Sequence, residues 1–289
     1  MRVRSTLGYA ERIERAVLLL EQTAAAGKPA SLADMASAAA LSPYRFHRIF
    51  RVMTGESVGD VIARARLGGA LHLLDQSIFD AVTQSGYATS QAFARAVKDR
   101  TDATPSKLRN DPVRRRQAEG SLAVPENPSA ASPPITIKIT CVAPLRLAAI
   151  RNVGDYAELN QGFGRLVDQV ATKVGAEKII GLYGIPYDDP RDVDPQDCRF
   201  DCAVSTRVAI EADNQIFLVD YNGGRAVQLI HHGDYDRVHD LVDALYLEAI
   251  KDDLQLSEAP LLIHYLHDPE EVPTDELVSH VFLQLDADE

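Results

Sequence analysis

The chain runs to 289 residues, long enough for two domains of ordinary size that each bury a core. Its 46% hydrophobic and 25% charged residues are the composition of a soluble globular protein, and no apolar run approaches the length that spans a bilayer. The N-terminus, Met1-Arg2-Val3-Arg4-Ser5, lacks the apolar stretch of a signal peptide, so a cytoplasmic location with no membrane partner is expected. Three cysteines, an odd number, fit reduced thiols. Cys198 and Cys202 stand four residues apart with no second pair of soft ligands to complete a zinc site, so neither metal nor cofactor is expected.

The formal charge of −12 argues against a polyanionic partner until it is divided. Residues 1–120 hold 18 Lys/Arg against 12 Asp/Glu, whereas residues 121–289 hold 12 against 30. One reading is a basic half that faces a polyanion and an acidic half that does not. The other is a pair of unrelated solvated surfaces.

The first element is a helix near 8–26, with Ile13, Val17, Leu20 and Glu21 on successive turns and Gly27 closing it. A short alanine-rich helix follows from Leu32 to Ala39, capped by Ser31. From Ser42, Phe46, Ile49, Phe50 and Met53 fall at i, i+3, i+4 and i+7 and form the buried stripe of a third helix. That stripe leaves Tyr44, Arg45, His47, Arg48 and Arg51 facing outward. Ser57 to Leu74 reads as one long helix, a rigid spacer.

A shift of 47 residues then lays the chain on itself. Ser42 falls on Thr89, Phe46 on Phe93, Arg48 on Arg95, Arg51 on Lys98, and Thr54-Gly-Glu-Ser57 on Thr101-Asp-Ala-Thr104. The second copy is a helix from Ala81 to Ser85, a turn at Gly86-Tyr87, and a helix from Thr89 with Gln91, Ala92, Arg95 and Lys98 outward. Helix, tight turn and helix with a basic outer face is the arrangement that enters a major groove of double-stranded DNA. A helical bundle whose outward bases only keep it soluble is the alternative.

Asp111 to Pro134 carries five prolines among Ala, Ser, Asn and Glu and reads as an extended linker. Its Arg114-Arg115-Arg116 run is either solvated or an extra phosphate contact. Beyond it, β-branched runs such as Ile135-Thr-Ile-Lys-Ile alternate with helical segments, and a second duplication appears at a shift of 79. Gly154-Asp155-Tyr156 falls on Gly233-Asp234-Tyr235, and Asp189-Pro190 on Asp268-Pro269. Each copy reads as strand, turn, helix, strand, turn, strand, and two such units leave a groove along their pseudo-twofold axis. The expected architecture is multidomain: an all-α double helix-turn-helix domain over 1–110, a Pro/Ala/Ser linker over 111–134, and an α+β duplicated (βαββ)2 domain over 135–289.

The first domain resembles the AraC family of transcriptional regulators. The matching residues are Leu32-Ala33-Asp34-Met35-Ala36, Ser42, Phe46 to Arg51, Thr54-Gly55, Arg66-Leu67, Gly86-Tyr87, Phe93-Ala-Arg95, Lys98, Thr104-Pro105 and Leu108-Arg109. The resemblance implies two recognition helices in adjacent major grooves of an operator, and RNA polymerase as a further partner. Tyr44, Arg45, His47, Arg48, Arg51, Gln91, Ala92, Arg95 and Lys98 are then the DNA-facing candidates. Arg reads guanine and Gln reads adenine, while Arg51 and Lys98, further along, suit phosphates. Arg48 or Arg95 is alternatively tied into the domain by a salt bridge. The second copy departs from the family pattern at Val97, where the family places Phe, and at Asp102, where it places Gly. The first unit is therefore expected to be the stronger reading head.

The second domain resembles the GyrI-like (SOUL/GyrI fold) effector-binding domain. The matching stretches are Ala148-Ala-Ile-Arg151, Gly154-Asp-Tyr156, Gly181-Leu-Tyr183-Gly184, Asp188-Asp189-Pro190, Arg199-Phe-Asp201, His232-Gly233-Asp-Tyr235 and Tyr265-Leu-His-Asp268-Pro269. The family implies a small organic effector, frequently cationic and aromatic, held by aromatic walls and a buried glutamate. At the glutamate's place this chain has His264, and it has no tryptophan. Phe163, Tyr183, Tyr187, Tyr246, His264 and Tyr265 are the ligand-binding candidates. No catalytic set is expected. A protein-interaction module and a small-molecule hydrolase are the alternatives for this half.

Overall fold

In a computed structural model of the chain, residues 8–26, 28–122, 135–191 and 193–286 are described. They fall in two compact units, Met1–Ala130 and Ala131–Glu289.

The first unit is helical throughout. Helix α1 spans Tyr9–Ala25, and the Gly27 expected to close it lies outside the described residues. Helix α2 (Leu32–Ala38) starts in a capping box, with the Ser31 hydroxyl accepting from the Asp34 amide and the Asp34 carboxylate accepting from the Ser31 amide. Helix α3 spans Pro43–Thr54. Its Ser42 makes no side-chain cap bond; Pro43 at the first position instead removes one donor that would lack a partner. Helix α4 (Val58–Leu71) is capped by Ser57 and tightens into a 3-10 turn over His72–Asp75, which completes the expected spacer. Gly69 lets α4 pass close to α1, since a Cβ there would sit 2.8 Å from the Ala24 carbonyl oxygen.

Helices α5 (Ile78–Ser85) and α6 (Ser90–Thr101) form the second copy, capped by Ser77 and Thr89. The two copies end alike. Gly55 after α3 and Asp102 after α6 both take the left-handed conformation, at φ 74° and 51°, and each donates its amide four residues back. Helix α7 spans Pro105–Asn110.

The expected linker does not begin at residue 111. Asp111 caps a further helix, α8 (Pro112–Ser121), by accepting from the Val113 and Arg114 amides. Ala118 and Leu122 join the core of Leu67, Leu71, Phe93, Val97 and Leu108, and buried Arg115 is paired with Asp75. Prolines at a helix's first position start it rather than break it, and this run used one that way. The rest of the expected linker, 123–134, lies outside the described residues.

The second unit is one antiparallel sheet with two helices. Its strands are β1 (Ile137–Val142), β2 (Leu145–Val153), β3 (Ile179–Pro186), β4 (Arg199–Thr206), β5 (Phe217–Tyr221), β6 (Gly224–His232), β7 (Leu262–Tyr265) and β8 (Val278–Gln284). Helix α9 (Leu159–Val174) follows β2, and α10 (Val238–Lys251) follows β6. The order across the sheet is β1-β6-β8-β7-β3-β4-β2-β5.

Each copy therefore has one strand more than the expected βαββ, and the copies exchange it. β1, which leads the first copy, pairs with β6 of the second, while β5, which leads the second, pairs with β2 of the first. At the centre β3 pairs with β7, with Tyr183 opposite His264. Alternation along the strands splits the core in two. Ala148, Ile150, Phe200, Cys202 and Val204 pack with Leu166 and Val170 of α9. Leu147, Ala149, Tyr183, Ile185, Ala203, Tyr221, Ala226, Leu262 and Phe282 cluster on the other, helix-free face.

Candidate DNA-reading helices and effector groove

In α6, Phe93 and Val97 are fully buried, while Gln91, Ala92, Arg95 and Lys98 are all exposed. Each predicted outward residue of the second copy is where the sequence pattern puts it. The smaller Val97 is accommodated without exposure, and the Tyr87 ring packs edge-on against Phe93 with centroids 5.9 Å apart.

In α3 the outcome is mixed. Phe46, Ile49 and Phe50 are buried as expected, Met53 at the end of the expected stripe is only half-buried, and Tyr44, His47 and Arg51 are half-buried as well. Arg45 and Arg48 are not outward: they retain 5% and 2% of their exposure. Positions 45, 48 and 52 form the helical row beside the Phe46–Ile49–Phe50 stripe, so the buried arc is wider than the four-position pattern foresees. The Arg48 guanidinium stands over the Tyr44 ring at 5.9 Å. The basic run at 114–116 divides likewise: Arg115 is buried, whereas Arg114 and Arg116 are exposed, and Arg114 donates to the carbonyl of Asp102.

The six ligand candidates separate by face. Tyr183 and His264, opposite each other on β3 and β7, stack with ring planes 11° apart and centroids 4.4 Å apart. His280 of β8 lies across from His264 at 6.3 Å. Burial, and then the charge of His280, holds His264 below its ordinary value, so the neutral ring is favoured. Tyr187 belongs to the same helix-free cluster. Phe163 and Tyr265 instead meet on the helix-covered side at 5.5 Å, and Tyr265 also packs on Tyr235 at 4.8 Å. Tyr246 is buried on α10.

Sequence reasoning missed the most structured polar group on the helix-free face. Asp201 of β4 is fully buried, and Arg151 of β2, directly opposite it in register, binds it with two bonds of 2.6 and 2.9 Å. The pair supplies what a buried carboxylate needs, a close cation with matching fork geometry. The Arg151 guanidinium lies over the Tyr187 ring at 4.4 Å and near Phe217 at 5.9 Å. Burial and the adjacent Asp201 push the Tyr187 hydroxyl up to about 12. Both charged residues stand in the stretches quoted for the family resemblance. They are 50 residues apart, however, and only the β2–β4 register brings them together.

Two helix-turn-helix copies followed by a duplicated α+β sheet define a two-domain regulator, a reading head joined to a sensing unit. Residues 135–286 match the family described as GyrI-like small molecule binding domain, and residues 35–111 match a helix-turn-helix domain family. Regulatory protein SoxS of Escherichia coli (strain K12) is 31% identical over 86 residues, 29% of this chain and 80% of that protein. Right origin-binding protein of the same strain is 33% identical over 88 residues, 29% of this chain and 30% of that protein. Among solved structures, an EcmrR–DNA complex covers 81% of this chain and 79% of its own with TM-score 0.43 and 11% identity, too distant a likeness to bear on function. The chain belongs to the AraC family of transcriptional regulators and carries a GyrI-like small-molecule-binding domain. Among the described residues, no helix is long and apolar enough to cross a membrane.

Proposed function

We propose that this chain regulates transcription as a single component, with α6 and α3 reading adjacent major grooves and an organic effector on the helix-free face altering operator occupancy. One observation carries the DNA half of this reading. Two helices of 12 residues, 47 residues apart, end in the same left-handed cap, and the second presents Gln91, Ala92, Arg95 and Lys98 to solvent over a sealed core. Arg95 and Gln91 suit base edges, and Lys98 suits a phosphate. In α3, Tyr44, His47 and Arg51 are the nearer candidates, since Arg45 and Arg48 would have to leave buried positions to reach a base. RNA polymerase is the further partner we propose.

For the second unit we favour binding over catalysis. The Cys202 thiol, pushed up to about 12 by burial, is no thiolate nucleophile near neutral pH. His264 is stacked flat on Tyr183, a position suited to a ligand wall.

The test is binding of the purified protein to fragmented genomic DNA, with Arg95→Ala and Gln91→Ala alongside. The reading predicts a preferred site, and a loss of about 1–3 kcal/mol of discrimination for each truncated base contact. Absence of any site preferred over bulk DNA at physiological salt would sink it. For the effector, a thermal-shift screen across cations, anions and neutral aromatics should find stabilising compounds, and a screen without one favours a protein-interaction role.

A further inference from the structure

Building on the effector reading above, we infer that the helix-free face takes an organic anion, and that Arg151 is the group that meets it. Strand alternation and register place four charged residues there: Lys138 on β1, Arg151 on β2, and Arg199 and Asp201 on β4. His232, His264 and His280 share that face. In a half of the chain with 12 Lys/Arg against 30 Asp/Glu, this face is the exception.

Among the described residues of these strands and the turn after β3, the carboxylates of Asp201 and Asp188 are already engaged. Asp201 gives both oxygens to Arg151, and Asp188, in the turn after β3, gives both of its oxygens to Arg199 at 2.8 and 2.9 Å. Tyr187, Phe217 and Asp201 together make an aromatic and acidic cage, and the cation inside it is the protein's own guanidinium. An incoming cation would have to expel Arg151 and leave it without its partner. An incoming anion has no such cost. Nε and Nη2 of Arg151 face Asp201, Nη1 lies outside that pair, and the side chain keeps 41% of its exposure. A planar carboxylate can bond that outer edge while its hydrocarbon part packs on Tyr187 and Phe217.

The test is calorimetric titration of the full chain with 2-naphthoate, its neutral isostere 2-naphthol, and tetraphenylphosphonium. The expected result is 2-naphthoate binding roughly tenfold or more tightly than either of the others, with that preference erased in Arg151→Met/Asp201→Leu. The double substitution removes the pair without stranding a buried charge. The ranking on the unsubstituted chain stands whether or not the double variant folds. Tighter binding of 2-naphthol or tetraphenylphosphonium overturns the anion assignment and leaves the effector reading intact. Binding of none of the three overturns the anion assignment as well, and the broad screen then decides whether any effector binds.

Discussion

Tyr156 and Tyr235, 79 residues apart, hold their two halves of the sheet domain by the same pair of bonds. The Tyr156 hydroxyl lies 3.0 Å from the carbonyl of Asp188 and 2.7 Å from that of Arg199, and the Tyr235 hydroxyl lies 3.0 Å from those of His267 and Val278. The acceptors are themselves 79 residues apart. Each tyrosine thus pins the turn ahead of its helix to the loop between the last two strands of its copy. Tyr235→Phe keeps the ring and leaves two half-buried carbonyls without that donor. The expected loss is about 1 kcal/mol in urea unfolding, with the denaturant slope unchanged.

Gly69 is fixed by the crossing of α1 and α4. A methyl group there meets backbone, the Ala24 carbonyl, which cannot swing aside as a side chain would. Gly69→Ala should therefore cost about 1–3 kcal/mol, despite alanine's better helix propensity. Gly59 near the start of α4 is the control, because a Cβ there meets only the Ser57 hydroxyl at 3.7 Å. Gly59→Ala should be neutral or mildly stabilising in the same measurement.

Helix α8 makes the same kind of demand on the second reading unit. Arg115 keeps only 8% of its side-chain exposure and pairs with Asp75 at the end of the α4 spacer. Arg115→Ala should destabilise the helical unit by about 1–2 kcal/mol, less than a fully buried pair because Asp75 stays in water. A chain ending at residue 110 should unfold at lower denaturant than one ending at 122, since it uncovers the Leu67–Leu71 side of the core. Equal midpoints would show that α8 contributes nothing to the fold.

What could be read in advance was local. Apolar spacing and hydroxyl caps mark α2, α4 and α6, because capping and amphipathic burial are decided within a few residues. Helix α5, by contrast, is expected only from Ala81 and begins three residues earlier at Ile78, behind a Ser77 cap that the pattern does not single out. Helix α8 escaped because only Arg115, Ala118 and Leu122 touch the core, and the most telling of them is a base. The exchange of β1 and β5 between copies escaped because pairing across some 90 residues leaves no periodic trace. Arg45 and Arg48 are buried for a related reason: charge in a sequence suggests exposure, whereas a long basic side chain is buried where the fold supplies it with partners. Of the groove, Tyr183 and His264 were legible as residue types in a family pattern. The Arg151–Asp201 pair was not, since register alone joins them.

Asp102 tests whether the second reading unit carries a correctable handicap. It sits left-handed at φ 51° just past the end of α6, where Gly55 does the same for α3. Asp102→Gly removes backbone strain and an anion from a helix C-terminus, while retaining the carbonyl that accepts from Arg114. Against this stands glycine's greater freedom in the unfolded chain. The net expectation is a gain of about 0.5 kcal/mol in stability, and tighter, more salt-sensitive DNA binding because a carboxylate leaves the polyanion's vicinity. Weaker binding by the variant would mean that the carboxylate itself has a role at the DNA.

The stacked His264 makes the sheet domain sensitive to acid in a direction that can be worked out. Burial and then His280 lower its proton affinity in the fold, and His280 is itself lowered by burial, Lys138 and His232. The unfolded chain, with ordinary imidazoles, takes up protons first as pH falls through the ordinary histidine value near 6.5. The neutral rings therefore favour the fold above that value, and the advantage is lost below it. Lowering the buffer from about pH 7.5 to about pH 5.5 should reduce the melting temperature of the full chain. His264→Phe keeps a flat ring against Tyr183 but removes one titrating site, so its melting temperature should fall less over the same interval. Identical falls in the two proteins would locate the acid sensitivity elsewhere, with His280, itself held below its ordinary value by burial, as the next group to examine.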